Sequence, residues 1–179
     1  YLPTTGLIYK VGGQNPSGTG AAPTVTCEYG AGIPATYPGT GEDLTSSYSS
    51  NLAAYTEVQG GTDVATVNHG DLVAVSHDSP GGTFVGTGPL AVIGSTLATG
   101  TGLPFVFTGI HVNLPTAFVI TQPIAGFPTL LPPAGYGYSF AYISGVFSGM
   151  SLYLQAIVSD GAANNMIFAS SNALELQLQ

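Results

Sequence analysis

Apolar and polar positions alternate with a period of two along much of this chain, the spacing of strands half-buried in a sheet. The first instance is TTGLIYKV, where Leu7, Tyr9 and Val11 fall on one face and Ile8 and Lys10 on the other. Comparable runs follow at Thr24–Tyr29, Leu52–Val58, Thr62–Val67, Asp71–Ser76, Pro89–Gly94, Pro104–Val112 and Thr116–Thr121. Tyr138–Ile143, Ser151–Val158 and Ala173–Leu178 complete the series. Between them lie stretches rich in Gly, Pro, Ser and Thr without apolar periodicity: Gly12–Pro23, Gly30–Ser50 and Gln122–Tyr136. The pattern predicts an all-β fold, a β-sandwich or jelly roll of about eleven short strands. Residues 1–11 read as an N-terminal strand, 12–23 as a flexible tether and 24–179 as one domain. Extended, the tether reaches close to ~40 Å, far more than a hairpin between neighbouring strands needs.

Composition sharpens this picture. With 26 Gly, 13 Pro, 10 Tyr and 8 Phe in 179 residues, the chain has the vocabulary of short strands and many turns. Charged residues make up 6%, against roughly 25% in an ordinary soluble domain. Lys10 is the single basic residue against nine acidic ones, for a net charge of −8. That balance excludes a nucleic-acid binder, which needs clustered Lys and Arg to displace counterions, and argues against docking on anionic lipid. No apolar run approaches the ~20 residues of a membrane-spanning helix. Cys27 has no internal disulfide partner and reads as a buried thiol on a strand. A chain that begins with Tyr1, has almost no trypsin-type cleavage sites and lacks an N-glycosylation sequon fits an exported, mature extracellular protein.

Catalytic patterns are missing. The sequence holds no nucleophile elbow, no zinc-protease helix motif, no phosphate loop and no paired cysteines. The densest polar cluster is Asp63, His69, Asp71, His77 and Asp78. Asp71 and His77 share a strand face but sit at its two ends, ~20 Å apart, and cannot ligate one ion. His77, Asp78 and His69 are the only weak metal candidates, and a loop would have to bring them together. The simpler reading is that strand ends and turns collect such residues, with Asn68, His69 and Gly70 forming a hairpin turn. Glu42, Asp43 and Asp160 lack the spacing of a calcium loop and read as solvated carboxylates. No enzyme activity and no cofactor is expected. Tyr29, Tyr37, Tyr48, Tyr136 and Tyr138 lie in or beside loops, where rings stack on sugars or pack while wetting their hydroxyls.

The C-terminal segment SLYLQAIVSDGAANNMIFASSNALELQL resembles the ending of exported bacterial β-rich proteins of the planctomycete type. The matching residues are Leu152, Tyr153, Gln155, Ala156, Val158, Asp160, Ser171, Asn172, Ala173 and Leu174, within about a fifth of the chain. The resemblance implies an exported β domain and no catalytic role. Physically, Gln155 and Asn172 suit a buried polar pair fixing the last two strands.

One property of the surface points to function. Natural β proteins blunt exposed sheet edges with charge, especially Lys, and this chain has a single Lys. Its edges are therefore either covered or meant to pair. Leu7, Ile8, Tyr9 and Val11 on a tether supply a strand that a neighbouring copy can accept, and head-to-tail contacts of that kind grow into filaments. The expectation is a structural subunit of an extracellular filament or surface appendage, its partners other copies of itself. The alternative is a monomeric carbohydrate-binding or adhesion module whose partners are surface glycans.

Overall fold

The computed structural model describes residues 7–13, 24–31, 37–51, 64–98, 109–120, 127–143 and 145–179. They form eleven strands: β1 (Leu7–Gly13), β2 (Thr24–Ala31), β3 (Thr45–Ser50), β4 (Val64–Val67), β5 (Leu72–Asp78), β6 (Leu90–Ser95), β7 (Phe118–Val119), β8 (Tyr136–Ala141), β9 (Ser151–Val158), β10 (Ala169–Ser170) and β11 (Leu174–Leu178). The only helical pieces among the described residues are 3₁₀ turns at Leu114–Thr116 and Gly145–Phe147. The expected all-β class holds, and the chain divides into two compact units, Tyr1–Pro34 and Ala35–Gln179.

The first unit is a two-stranded antiparallel ribbon. Leu7 lies opposite Ala31, Tyr9 opposite Tyr29 and Val11 opposite Cys27, and the chain's one lysine, Lys10, is in register with Glu28. The register shifts between Val11 and Gly13, so Gly12 and Gly13, expected in the tether, belong to β1. Thr24–Ala31 therefore groups with β1 and not with the strands that follow. The rest of the expected tether, 14–23, lies outside the described residues, as do the Leu52–Val58 run and most of Pro104–Val112.

The second unit is a sandwich of two sheets. A three-stranded antiparallel sheet has the order β3-β5-β8, and a six-stranded sheet the order β4-β11-β9-β6-β7, with β10 also paired to β9. Val73 and Val75 of β5 face Ala65 and Val67 of β4, Leu154 of β9, and Leu174, Leu176 and Leu178 of β11 in the space between the sheets. Each valine or leucine among them, fully buried, contributes about 1.5–3 kcal/mol. The alternation in LELQL is thus what turns three leucines inward. A further apolar cluster on Ile93, Ile110, Val112 and Phe168, with Tyr153 and Ile157 packed against it, involves the opposite positions of β6 and β9. These strands are covered on both faces, which accounts for the nearly unbroken apolar run at Ser151–Val158.

Three differences from the sequence expectations have physical causes. β3 lies inside the stretch read as turn-rich, because TSSYSS carries no apolar alternation and its buried positions are Ser46 and Ser49. The Thr116–Thr121 run yields only the two-residue β7, since a 3₁₀ turn occupies Leu114–Thr116. Asn68, His69 and Gly70 do form a turn, with Gly70 at φ +94° and the Asp71 N–H donating to Asn68 O at 3.0 Å. It is not a hairpin: β4 belongs to one sheet and β5 to the other, so the turn is a corner between layers.

Candidate functional site

The residues singled out for metal chemistry are not assembled into a site. His77 is fully buried between the sheets, on the same face of β5 as Val73 and Val75. Asp78, the next residue on that strand, points to the opposite face by the strand's own alternation, and its Oδ1 accepts from the Ser79 N–H at 2.8 Å. His69 is exposed in the corner turn, with Nε2 2.8 Å from Ile143 O. Among the described residues no three His, Cys, Asp or Glu side chains converge.

His77 instead anchors a buried hydrogen-bond chain that joins the layers. Its Nδ1 is 2.7 Å from Ser46 Oγ, Ser46 Oγ donates to Ser171 Oγ at 2.7 Å, and Ser171 Oγ donates to Asn172 O at 2.8 Å. That direction assigns the neutral imidazole with its proton on Nδ1, leaving Nε2 to accept a long contact from the Tyr138 hydroxyl at 3.4 Å. Burial with no charged partner holds the His77 pKa down at about 3. A serine beside a histidine suggests nucleophilic chemistry, but no carboxylate orients this ring and neither residue is accessible to a substrate. The chain is a structural tie.

Two further ties sit on the six-stranded sheet. The buried Gln155 accepts from the His111 N–H at 2.9 Å and donates to Gly109 O at 2.6 Å and Ser171 O at 2.7 Å. Asn172 holds a different element: its Oδ1 accepts from the Ser46 N–H at 2.8 Å and its Nδ2 donates to Ser46 O at 3.0 Å. The expected polar pair is thus two separate staples. Glu175 is a mostly buried carboxylate with no cation among the described side chains, accepting from Tyr37 Oη at 2.6 Å, Ser151 Oγ at 2.8 Å and Gln177 Nε2 at 3.1 Å. Burial raises its pKa, but these donors outweigh burial and hold it below the usual glutamate range. Burial and the same carboxylate push the Tyr37 hydroxyl up.

Asp43 uses the same device in a loop, accepting from Ser79 Oγ at 2.6 Å, the Gly81 N–H at 2.7 Å and the Thr83 N–H at 2.9 Å. Burial raises its pKa and these bonds more than reverse the rise. Three donors make it a loop anchor, where the sequence suggested a solvated carboxylate.

Tyr37, Tyr48, Tyr136 and Tyr138, four of the five tyrosines named as sugar platforms, are engaged in packing, and the Tyr29 side chain lies outside what the structure describes. Tyr136 and Tyr138 turn inward from β8 against the inter-sheet core, with the Phe127 ring 4.2 Å from that of Tyr136. Tyr37 lies edge-on to Tyr153 at 5.7 Å and tilted against His111 at 5.7 Å. Tyr48 packs on the apolar cluster around Val73 and Leu176.

What the molecule offers a partner is strand edges. Leu7, Ile8, Tyr9 and Val11 lie on β1, whose described pairing is with β2 alone, so each strand of the ribbon has an unpaired outer edge among the described residues. In the second unit the terminal strands among the described residues are β3, β8, β4 and β7. β7 is two residues long, and Asn172 occupies both backbone groups of Ser46 on β3. β8 is longer and plainer. The Asn51 N–H bonds Leu72 O, which turns the even positions of β5 toward β3 and the odd ones toward Tyr136, Tyr138 and Phe140 of β8. The backbone groups of Gly137, Ser139 and Ala141 therefore point away from the sheet, and all three residues are exposed. Fold and edges define an all-β sandwich domain preceded by a β-ribbon. The chain matches no protein-family model, no curated protein and no solved structure.

Proposed function

We propose that this chain is the structural subunit of an extracellular filament or surface appendage, polymerising when the N-terminal element of one copy is taken up by the next. The observation that carries this reading is the ribbon of β1 and β2, a compact unit of its own with unpaired outer edges among the described residues. A two-stranded ribbon is marginal in water by itself and gains stability by joining a larger sheet. The element handed over is then β1 together with β2, not a lone strand. Leu7, Tyr9 and Val11 supply its side-chain grip and the main chain supplies its hydrogen bonds. Copies joined head to tail through such a contact do not close on themselves.

Electron microscopy of the purified chain, with and without residues Tyr1–Ala31, tests the proposal. Filaments that disappear on truncation are the expected result. Uniform single-chain particles in both samples, 18.0 kDa for the full chain and correspondingly smaller for the truncated one, overturn it and favour a monomeric module, to be tried against a panel of polysaccharides.

A further inference from the structure

The distribution of charge is uneven in a way that selects an acceptor. Lys10 and Glu28 are the only charged side chains in Tyr1–Pro34, so that unit is formally neutral. The whole net charge of −8 therefore resides on Ala35–Gln179. Within the second unit no Asp, Glu, Lys or Arg occurs between Asp78 and Asp160. This uncharged stretch contains β8, and just beyond it Ile143, Val146, Phe147 and Met150 are all exposed, Val146 by 80%. Apolar side chains gathered in one exposed segment are the usual mark of an interaction surface. The nearest carboxylates in the β5–β8 register, Asp71 and Asp78, sit at the two ends of β5, one strand inward from the edge.

From these observations, and resting on the proposed strand transfer, we infer that the outer edge of β8 accepts the N-terminal β-ribbon of a second copy. Two second units meeting face to face bring −8 against −8, whereas a neutral ribbon approaches an uncharged edge without that repulsion. The competing edges are less suited: Asn172 caps β3, β7 is two residues long and β4 has four. β8 presents six residues without charge or proline. Gly137, Ser139 and Ala141 are small enough for a ribbon to lie flush along it.

The test uses full chains with one cysteine each. A Cys27→Ser, Thr26→Cys chain, its thiol on the opposite face of β2 from position 27, is mixed with a Cys27→Ser, Ser139→Cys chain and treated with a short bismaleimide. Neither can link internally, so a covalent pair containing one of each reports a ribbon lying at the β8 edge of another copy. A second arm uses Ser139→Pro, which removes only an outward-pointing N–H and spares the ladder to β5. Ser139→Lys, a natural edge guard, is its partner should the proline variant fold poorly. Either substitution should raise the concentration needed for assembly at least about tenfold, near 1.4 kcal/mol per contact, with the melting temperature of the isolated subunit little changed. Polymers that persist in both variants without a mixed cross-link overturn the β8 assignment while leaving strand transfer standing. Links only between two Ser139→Cys chains assign β8 to a copy of itself and overturn it as well. A native chain that forms no polymers, with no links in the mixture, removes both readings.

Discussion

His77 is the residue at which a local feature of this fold becomes measurable in solution. An imidazole held at a pKa of about 3 when folded, against ~6.5 in an unfolded chain, binds more protons in the unfolded state throughout the interval between them. Stability from this group is complete above pH 6.5 and is lost as pH falls, at about 1.4 kcal/mol per unit once below the unfolded value. By pH 5 the loss is about 2 kcal/mol. Asp43, Asp71 and Glu175, whose carboxyls are held below their ordinary values, lose their contributions only at lower pH. The carboxylates named here therefore stay out of the window from pH 7 to 5, and comparison with a His77 variant isolates this imidazole within it. Denaturant unfolding across it should give a falling midpoint in the native chain and a flatter profile in His77→Gln, itself less stable at pH 7. A profile of equal slope in both chains would show that the imidazole is protonated without cost and that the buried chain to Ser46 and Ser171 is misassigned. The role of His77 was half legible in the sequence. Alternation placed it with Val73 and Val75, but nothing in a local pattern announces that Ser46 and Ser171, far apart along the chain, will meet it.

At the level of elements the legible part is the set of strands that alternate, and the hidden part is the set that does not. β1, β2, β5 and β11 follow from their apolar spacing, because a sheet with one face in a core imposes a period of two, whereas β6 and β9, covered on both faces, are legible as short continuous apolar runs. β3 escaped that rule because its inward face mixes Ser46 and Ser50 with Tyr48, and Ser46 is satisfied by a hydrogen bond instead of contact area. The pairing of β1 with β2 was hidden for another reason. The stretch 12–23, rich in Gly, Pro, Ser and Thr, reads as a spacer, and loop entropy grows too slowly with length to forbid closing the ten residues that separate β1 from β2. Asn172 illustrates what long-range closure adds, since its amide stands in for a neighbouring strand at Ser46. Asn172→Ala should cost about 1–2 kcal/mol, the penalty of leaving buried polar partners unmet, and it should also open the β3 edge. Size-exclusion chromatography at increasing concentration would then show irregular aggregation in the variant that the native chain does not share. A variant that is destabilised yet no more prone to associate would mean that Asn172 contributes stability and leaves the edge closed by other means.

On the scale of the whole molecule, a chain with one cation has only its geometry and its uncharged regions with which to choose partners. Eight carboxylates on the second unit repel the same unit of every other copy, and no basic residue of that unit offsets them. An assembly joined through the neutral ribbon must still bring those bodies near one another, at spacings comparable to the screening length. That length is ~30 Å in 0.01 M salt and ~8 Å at 0.15 M. Raising salt over this interval should therefore lower the concentration at which filaments form, followed by light scattering at pH 7, where His77 stays neutral and the fold is intact. The sign is diagnostic. An interface built on ion pairs, with Lys10 reaching a carboxylate of the next copy, would weaken as salt rises. An interface of backbone hydrogen bonds and apolar side chains is freed from the repulsion of its surroundings and strengthens. Replacing Lys10 by Gln separates these cases further, because it should leave the salt dependence of the second kind of interface in place and abolish that of the first.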